Sequence, residues 1–210
     1  LHGLASSAQS SKARFLAERF RTHGLEMRAP DFNEPDFATL TMTRMLSQLD
    51  DELGRLPAGT PVTLIGSSLG GALAILAAAR PASPVTRLVL LAPAVMFGRP
   101  DHALLPPEQV ELWRRHGALP FTHYADGTKK LLNYAFYEDA ARYDPFGSPM
   151  MQPALAYQGL HDKAVDYRSV QRYAESHPNV MLSLLDDDHQ LIRSLPVIWS
   201  GIERFLGLAS

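Results

Sequence analysis

The sequence predicts an α/β fold, a mostly parallel central sheet flanked by helices within a single domain spanning 1–210. Three observations predict it. Short apolar runs closed by proline or glycine alternate with longer stretches of helical spacing, the pattern of parallel strands joined by crossover helices. One such run, Val62–Ile65, passes through a glycine-flanked turn directly into a helical run. The composition, 46% hydrophobic and 20% charged with a formal net charge of −2, is that of a folded chain with a substantial core.

The elements follow in order. Ser10–His23 reads as a helix with Phe15, Leu16 and Phe20 on one face, and Leu25–Ala29 as a short strand stopped by Pro30. Phe37–Leu53 has helical spacing, with Leu40, Met45, Leu46 and Leu49 inward. Val62–Ile65 and Arg87–Leu91 are compact apolar runs, read as buried strands. Leu69–Arg80 between them is a helix closed by Pro81. Ala154–Gln158 and Val180–Leu184 are the last two strands, with helices over Asp166–Ser176 and Leu195–Leu208. The stretch 94–151 breaks the alternation with helical fragments, prolines and aromatics. An insertion of that length between strands reads as a cap over the sheet end where active sites sit.

Composition removes several classes of function. With no cysteine there are no disulfides, thiolate nucleophiles or cysteine-bound zinc. The eight histidines form no metal-binding spacing, so no metal is expected. A near-neutral chain without a basic run gives no reason to expect nucleic acid or an anionic membrane. The apolar run Leu69–Ala79 is too short to span a bilayer. Lack of cysteine fits the cytoplasm. The chain opens on Leu1 directly before a loop motif, so an export signal preceding it stays open, and the strand that would lead into His2 is almost absent. A sheet edge left open in this way invites pairing with a second copy of the chain.

Gly66-Ser67-Ser68-Leu69-Gly70 matches G-x-S-x-G in the context that motif requires, strand, turn and helix. The turn is so tight that the flanking positions must be small. In return it presents the Ser68 hydroxyl at a helix N-terminus, where backbone N–H groups favour a developing oxyanion. A purely structural glycine turn is the bland alternative. A phosphate loop is disfavoured because no G-K-[ST] follows. Ser67 occupies the second position of the motif and is the weaker nucleophile candidate.

A serine needs a base, and in this order of elements an acid and then a histidine follow it. His189, in the loop after the final strand, fits the base. Asp162, in Gly159-Leu160-His161-Asp162 at a strand's C-terminal end, fits the acid that orients the imidazole. The rivals are given other roles: Asp166 is a helix cap, Asp186–Asp188 lie too near His189 in sequence, and His161 is structural or pocket-lining. Leu69 and Leu4, the latter in the opening Leu1-His2-Gly3-Leu4, are the expected oxyanion N–H donors. Within the cap, Trp113, Phe121, Tyr124 and Phe136 are candidate substrate contacts, although most cap aromatics are expected simply to pack.

With its L-H-G-x-x-S-S opening, G-S-S-L-G-G elbow and D-x-D-H-x-L close, the sequence resembles the α/β-hydrolase superfamily, specifically its small bacterial esterase-like members. The resemblance implies the Ser68, Asp162, His189 triad, the Leu4 and Leu69 donors, a small-molecule carboxylic ester of short to medium acyl length as substrate, and no cofactor. Epoxide hydrolases and haloalkane dehalogenases of this fold carry aspartate at the elbow, so Ser68 argues against both. Thioesters and amides are the alternative substrates. A ligand-binding protein on an inactive hydrolase scaffold is the alternative of another class.

Overall fold

The computed structural model describes residues 1–99, 105–123 and 127–208. In chain order its elements are α1 (Ser11–Thr22), α2 (Met42–Gly54), β1 (Val62–Ser67), α3 (Leu69–Ala78), β2 (Val85–Leu91), α4 (Pro107–His116), β3 (Ala118–Thr122), β4 (Lys129–Asn133), α5 (Ala135–Ala140), β5 (Ala154–Gly159), α6 (Tyr167–Ser176), β6 (Val180–Leu185) and α7 (Leu195–Leu206). The apolar runs pair as one parallel sheet in the order β1-β2-β5-β6.

Side chains on a strand alternate between its two faces, so β2 feeds two cores. Leu88 and Leu90 face a core with α2, α3 and α6. Val89 and Leu91 face a second core with α1 and α7, where Phe20 meets Trp199 edge-on at 5.0 Å. β2 and β5 are direct neighbours (Leu88 to Leu91 opposite Ala154 to Tyr157), although the whole segment holding α4, β3, β4 and α5 lies between them in sequence. The C-terminal ends of all four strands therefore open at one edge, where ligands bind in sheets of this kind. Among the described residues no helix is long and apolar enough to cross a membrane.

Three expectations are corrected. Leu25–Ala29 is not a strand. A strand exists through its ladder, and this mostly exposed segment has none; it stands across a groove from β1. The second helix begins at Met42 rather than Phe37, because Thr41 caps it by accepting the Arg44 N–H, while Asp36 ties the preceding turn through the Thr39 N–H. The insertion is not all helical: β3 and β4 form an antiparallel hairpin, with Leu119 opposite Leu132 and Phe121 opposite Lys130.

Candidate active site

Ser68 stands between β1 and α3 with φ 55° and ψ −117°, a strained conformation for a residue with a Cβ. The chain holds it there from several sides. The Ser68 N–H donates to Leu91 O at the end of β2, and its carbonyl accepts the N–H groups of Gly71 and Ala94. A Cβ on Gly66 would lie 2.2 Å from Gly70 O, so the turn closes only with glycine two positions before Ser68. Gly70 is small for a different reason than its distance from Gly66: a Cβ there would meet Leu1 O at 2.3 Å, so the amino-terminal loop lies directly on the elbow. Ser68 is the N-cap of α3, yet its hydroxyl makes no capping bond and remains available.

The loop after β5 carries Asp162, whose carboxylate is fully buried and accepts four hydrogen bonds. His189 Nδ1 (2.7 Å) and Gln158 Nε2 (2.9 Å) donate to Oδ2, and the Ala164 and Val165 N–H groups (2.8 Å each) donate to Oδ1. Burial pushes its pKa up, but these bonds, led by that from His189, outweigh it and leave the carboxyl below its ordinary value. An ionised carboxylate only accepts, so His189 Nδ1 carries the hydrogen. In the neutral ring Nε2 is then the atom with a free lone pair. His189 and Ser68 line one cavity, without a hydrogen bond between them among the described residues. Such contacts commonly close only when substrate binds.

The loops that carry Asp162 and His189 are locked together. The His161 N–H donates to Asp187 O, and a Cβ on Gly159 would lie 2.4 Å from that oxygen. Asp187 is buried and accepts the Asp188 and Ser194 N–H groups, fixing the turn that carries His189. Among the non-glycine residues with positive φ, Ala5, Ser68, Ala92 and Leu191 all fall in the segments that converge here. Backbone strain is thus concentrated at the site.

The amino-terminal loop is held over the elbow. The Leu1 N-terminal ammonium donates to Ile65 O, and Leu1 O accepts the Ser67 N–H, so Leu1 runs beside β1. The position of a Cβ on Gly3 is 3.8 Å from Ser68 Oγ. His2 Nε2 accepts the Phe32 N–H, which leaves Nδ1 to donate to Gly3 O and makes the buried ring neutral. Burial holds its pKa below the ordinary histidine value. Leu4 lines the cavity beside Ser68. The N–H groups of Leu4 and Leu69 make no hydrogen bond among the described residues.

The cavity measures about 1610 Å³. One arm runs under the insertion, lined by Leu105, Leu112, Leu119 and Phe121; another follows the β1 edge past Met27 and Leu53. Of the cap aromatics, Phe121 lines the cavity and Tyr124 lies outside the described residues. Trp113 and Phe136 do not line it: both are buried in the core that also holds residues of α2, α3 and β2, Trp113 donating its Nε1–H to Leu132 O at 2.7 Å. His161 is an exposed partner of Asp186 away from the cavity lining, and Asp166 caps α6. Sequence reasoning missed two residues. Gln158 is a fully buried amide near the end of an otherwise apolar strand, four residues before Asp162, which is a readable signal. Lys12 is a buried lysine on α1 that helical periodicity alone does not mark.

A family model described as the uncharacterised protein family UPF0227 matches residues 1–203. Among curated proteins nothing matches. Solved structures with the same fold include Est1E from Butyrivibrio proteoclasticus with ferulic acid bound, which is 22% identical with a TM-score of 0.81 over 98% of this chain and 86% of that one. Alpha/beta hydrolase domain-containing protein 10 from mouse is 21% identical, TM-score 0.75, over 100% and 89%. A monoacylglycerol lipase from Paleococcus ferrophilus is 16% identical, TM-score 0.69, over 90% and 84%. At such identities the likeness speaks for the fold, and the fold is that of the α/β hydrolases.

Proposed function

The chain belongs to the uncharacterised protein family UPF0227, and from its fold and site we propose that it is a serine hydrolase cleaving carboxylic esters of short to medium acyl chains. One observation carries the reading. A strained, uncapped Ser68 shares a cavity with His189, whose other ring nitrogen is bonded at 2.7 Å to the buried carboxylate of Asp162. A strained serine with a free hydroxyl has no structural use that a glycine would not serve at lower cost.

The chemistry follows from the donor and acceptor inventory. His189 Nε2 takes the Ser68 proton as Oγ attacks the ester carbonyl, and Asp162 stabilises the imidazolium that forms. The N–H groups of Leu4 and Leu69 bind the oxyanion. His189 then protonates the leaving alcohol, and a water activated by His189 releases the acid from the acyl-enzyme. Apolar side chains of the cap arm, Phe121 among them, receive the acyl chain. The esterase and lipase among the structures of this fold support the ester reading. The test is turnover of p-nitrophenyl esters from acetate to long acyl chains, with Ser68→Ala alongside. Turnover that vanishes in the variant supports the proposal; turnover that survives it removes Ser68 as nucleophile. Acyl-thiol substrates cleaved in place of esters would move the assignment to a thioesterase.

A further inference from the structure

An amide side chain gives up its hydration on burial, and only hydrogen bonds inside the protein offset that loss. Gln158 is fully buried on β5, opposite Leu184 of β6, and strand alternation sets it on the face that Ala154 and Ala156 turn toward the larger core. Its Nε2 faces three oxygens: Asp162 Oδ2 at 2.9 Å and the carbonyls of Gly159 and Val165 at 3.2 Å each. That setting fixes the amide's orientation, since Oε1 in the same place would meet three acceptors and no donor. Oε1 is buried with no partner among the described residues. A methionine or leucine would fill the position without that orphan, so the amide is explained by what Nε2 does rather than by packing.

The bond to Asp162 is the shortest of the three and the one that reaches the triad. The two oxygens of a carboxylate offer about four lone-pair sites. The Ala164 and Val165 N–H groups take those of Oδ1, and His189 Nδ1–H and Gln158 Nε2–H take those of Oδ2. With Oδ1 pinned, the carboxylate can still swing about that oxygen. Among the described residues Gln158 is the one donor, apart from the histidine itself, that stops it. The direction of Oδ2 sets the direction of the 2.7 Å bond from Nδ1, and through the rigid ring it sets where Nε2 points in the cavity that holds Ser68. A donor in the second site of Oδ2 also denies that site to water.

We propose that Gln158 is a positioning residue of the hydrolytic site: its Nε2–H holds Asp162 Oδ2 on the line of His189 Nδ1–H, so that His189 Nε2 is aimed at the Ser68 hydroxyl. The proposal rests on the serine-hydrolase reading for its catalytic meaning. The competing role is a brace for the loop between Gly159 and Val165, whose carbonyls Nε2 also meets. A brace acts on the loop as a whole, whereas a positioning residue acts only through the Asp162 carboxylate.

The experiment is a double-mutant cycle. Gln158→Met and Gln158→Leu, each alone and combined with Asp162→Ala, are checked for folding by thermal unfolding and assayed for kcat and KM on p-nitrophenyl acetate. With Asp162 present, both variants are expected to lower kcat by about 10- to 100-fold with KM little changed, the loss of one hydrogen bond to a charged group. With Asp162→Ala, they are expected to change kcat by less than about twofold. A loss of the same size in both backgrounds overturns the proposal and makes Gln158 a brace. So does a kcat within about twofold of wild type in either folded single variant. The His189 Nδ1–H proton signal, assigned by NMR with His189→Gln, gives a readout free of turnover. It is expected to be sharp in the wild type and broadened by exchange with water in Gln158→Met, and an unchanged signal overturns the proposal. Failure of the hydrolase reading is recognised separately, by turnover that survives Ser68→Ala or by no ester turnover from the wild type, and it leaves the proton signal to decide the geometry.

Discussion

Asp162→Asn changes one atom at the most constrained point of the site. Oδ1 is fixed by two backbone N–H groups, of Ala164 and Val165, which cannot rotate away. The asparagine carbonyl must stay there, and its NH2 takes the place of Oδ2. That NH2 then confronts two donors, His189 Nδ1–H and Gln158 Nε2–H. The histidine answers by moving its hydrogen to Nε2, the tautomer that cannot accept a proton from Ser68. Loss of the base tautomer is expected to lower kcat by about 10³ to 10⁴, with KM little changed. The lost charge-assisted bond and the donor–donor contact at Gln158 are expected to cost about 2–3 kcal/mol in stability. The carboxyl's folded pKa lies below its ordinary value, so its stabilising contribution is complete above the unfolded value near 4 and is lost as pH falls through the folded one. The variant should therefore show a flatter acid-unfolding curve than wild type below about pH 4. Initial rates on p-nitrophenyl acetate and urea unfolding at several pH values measure these effects. A kcat within about tenfold of wild type would refute the claim that Asp162 sets the imidazole tautomer.

Other substitutions separate roles that share this region. Gly66→Ala places a methyl 2.2 Å from Gly70 O, where backbone meets backbone, and should cost more than about 3 kcal/mol by denaturant unfolding and abolish turnover. Lys12→Met should be more stable than wild type by up to about 3 kcal/mol below pH 8. The depressed ammonium pKa means that unfolding takes up protons between about 8 and 10, so wild-type stability rises with pH across that window and the difference in Tm closes. Trp113→Ala should lose about 3–5 kcal/mol of stability, while Phe121→Ala should chiefly raise KM for the longer acyl esters.

What the sequence revealed and what it hid divide along the range of the forces involved. The elbow was legible because its constraint is local: strand, glycine, serine and helix are contiguous from Val62 to Ala78. His189 and Asp162 were legible by their position after strands, which the fold order converts into proximity. Trp113 and Phe136, expected as substrate contacts, lie in the core and not on the cavity lining; in sequence an aromatic reads the same whether it lines a cavity or fills a core. The hairpin was missed because Ala118–Thr122 contains a proline and its partner begins with two lysines, neither of which announces a strand. Lys12 was hidden because nothing near it in sequence explains its burial; its charges come from residues 162, 187 and 188. The reason for Gly70 was likewise remote, being the carbonyl of Leu1.

The direct pairing of β2 with β5 has a consequence for how such a protein can change. The ladder closes beneath the inserted segment, so the hydrogen bonds between β2 and β5 are made without it, although Trp113 and Phe136 share the core beneath the sheet. Ser68, Asp162, His189 and the Leu4 and Leu69 amides all lie outside that segment, whereas Leu105, Leu112, Leu119 and Phe121 belong to it. Lengthening a connection raises its closure entropy only logarithmically. The connections of that segment can thus be lengthened at small thermodynamic cost, provided its core residues Trp113 and Phe136 are kept, and the cavity lining can change while Ser68, Asp162 and His189 keep their places.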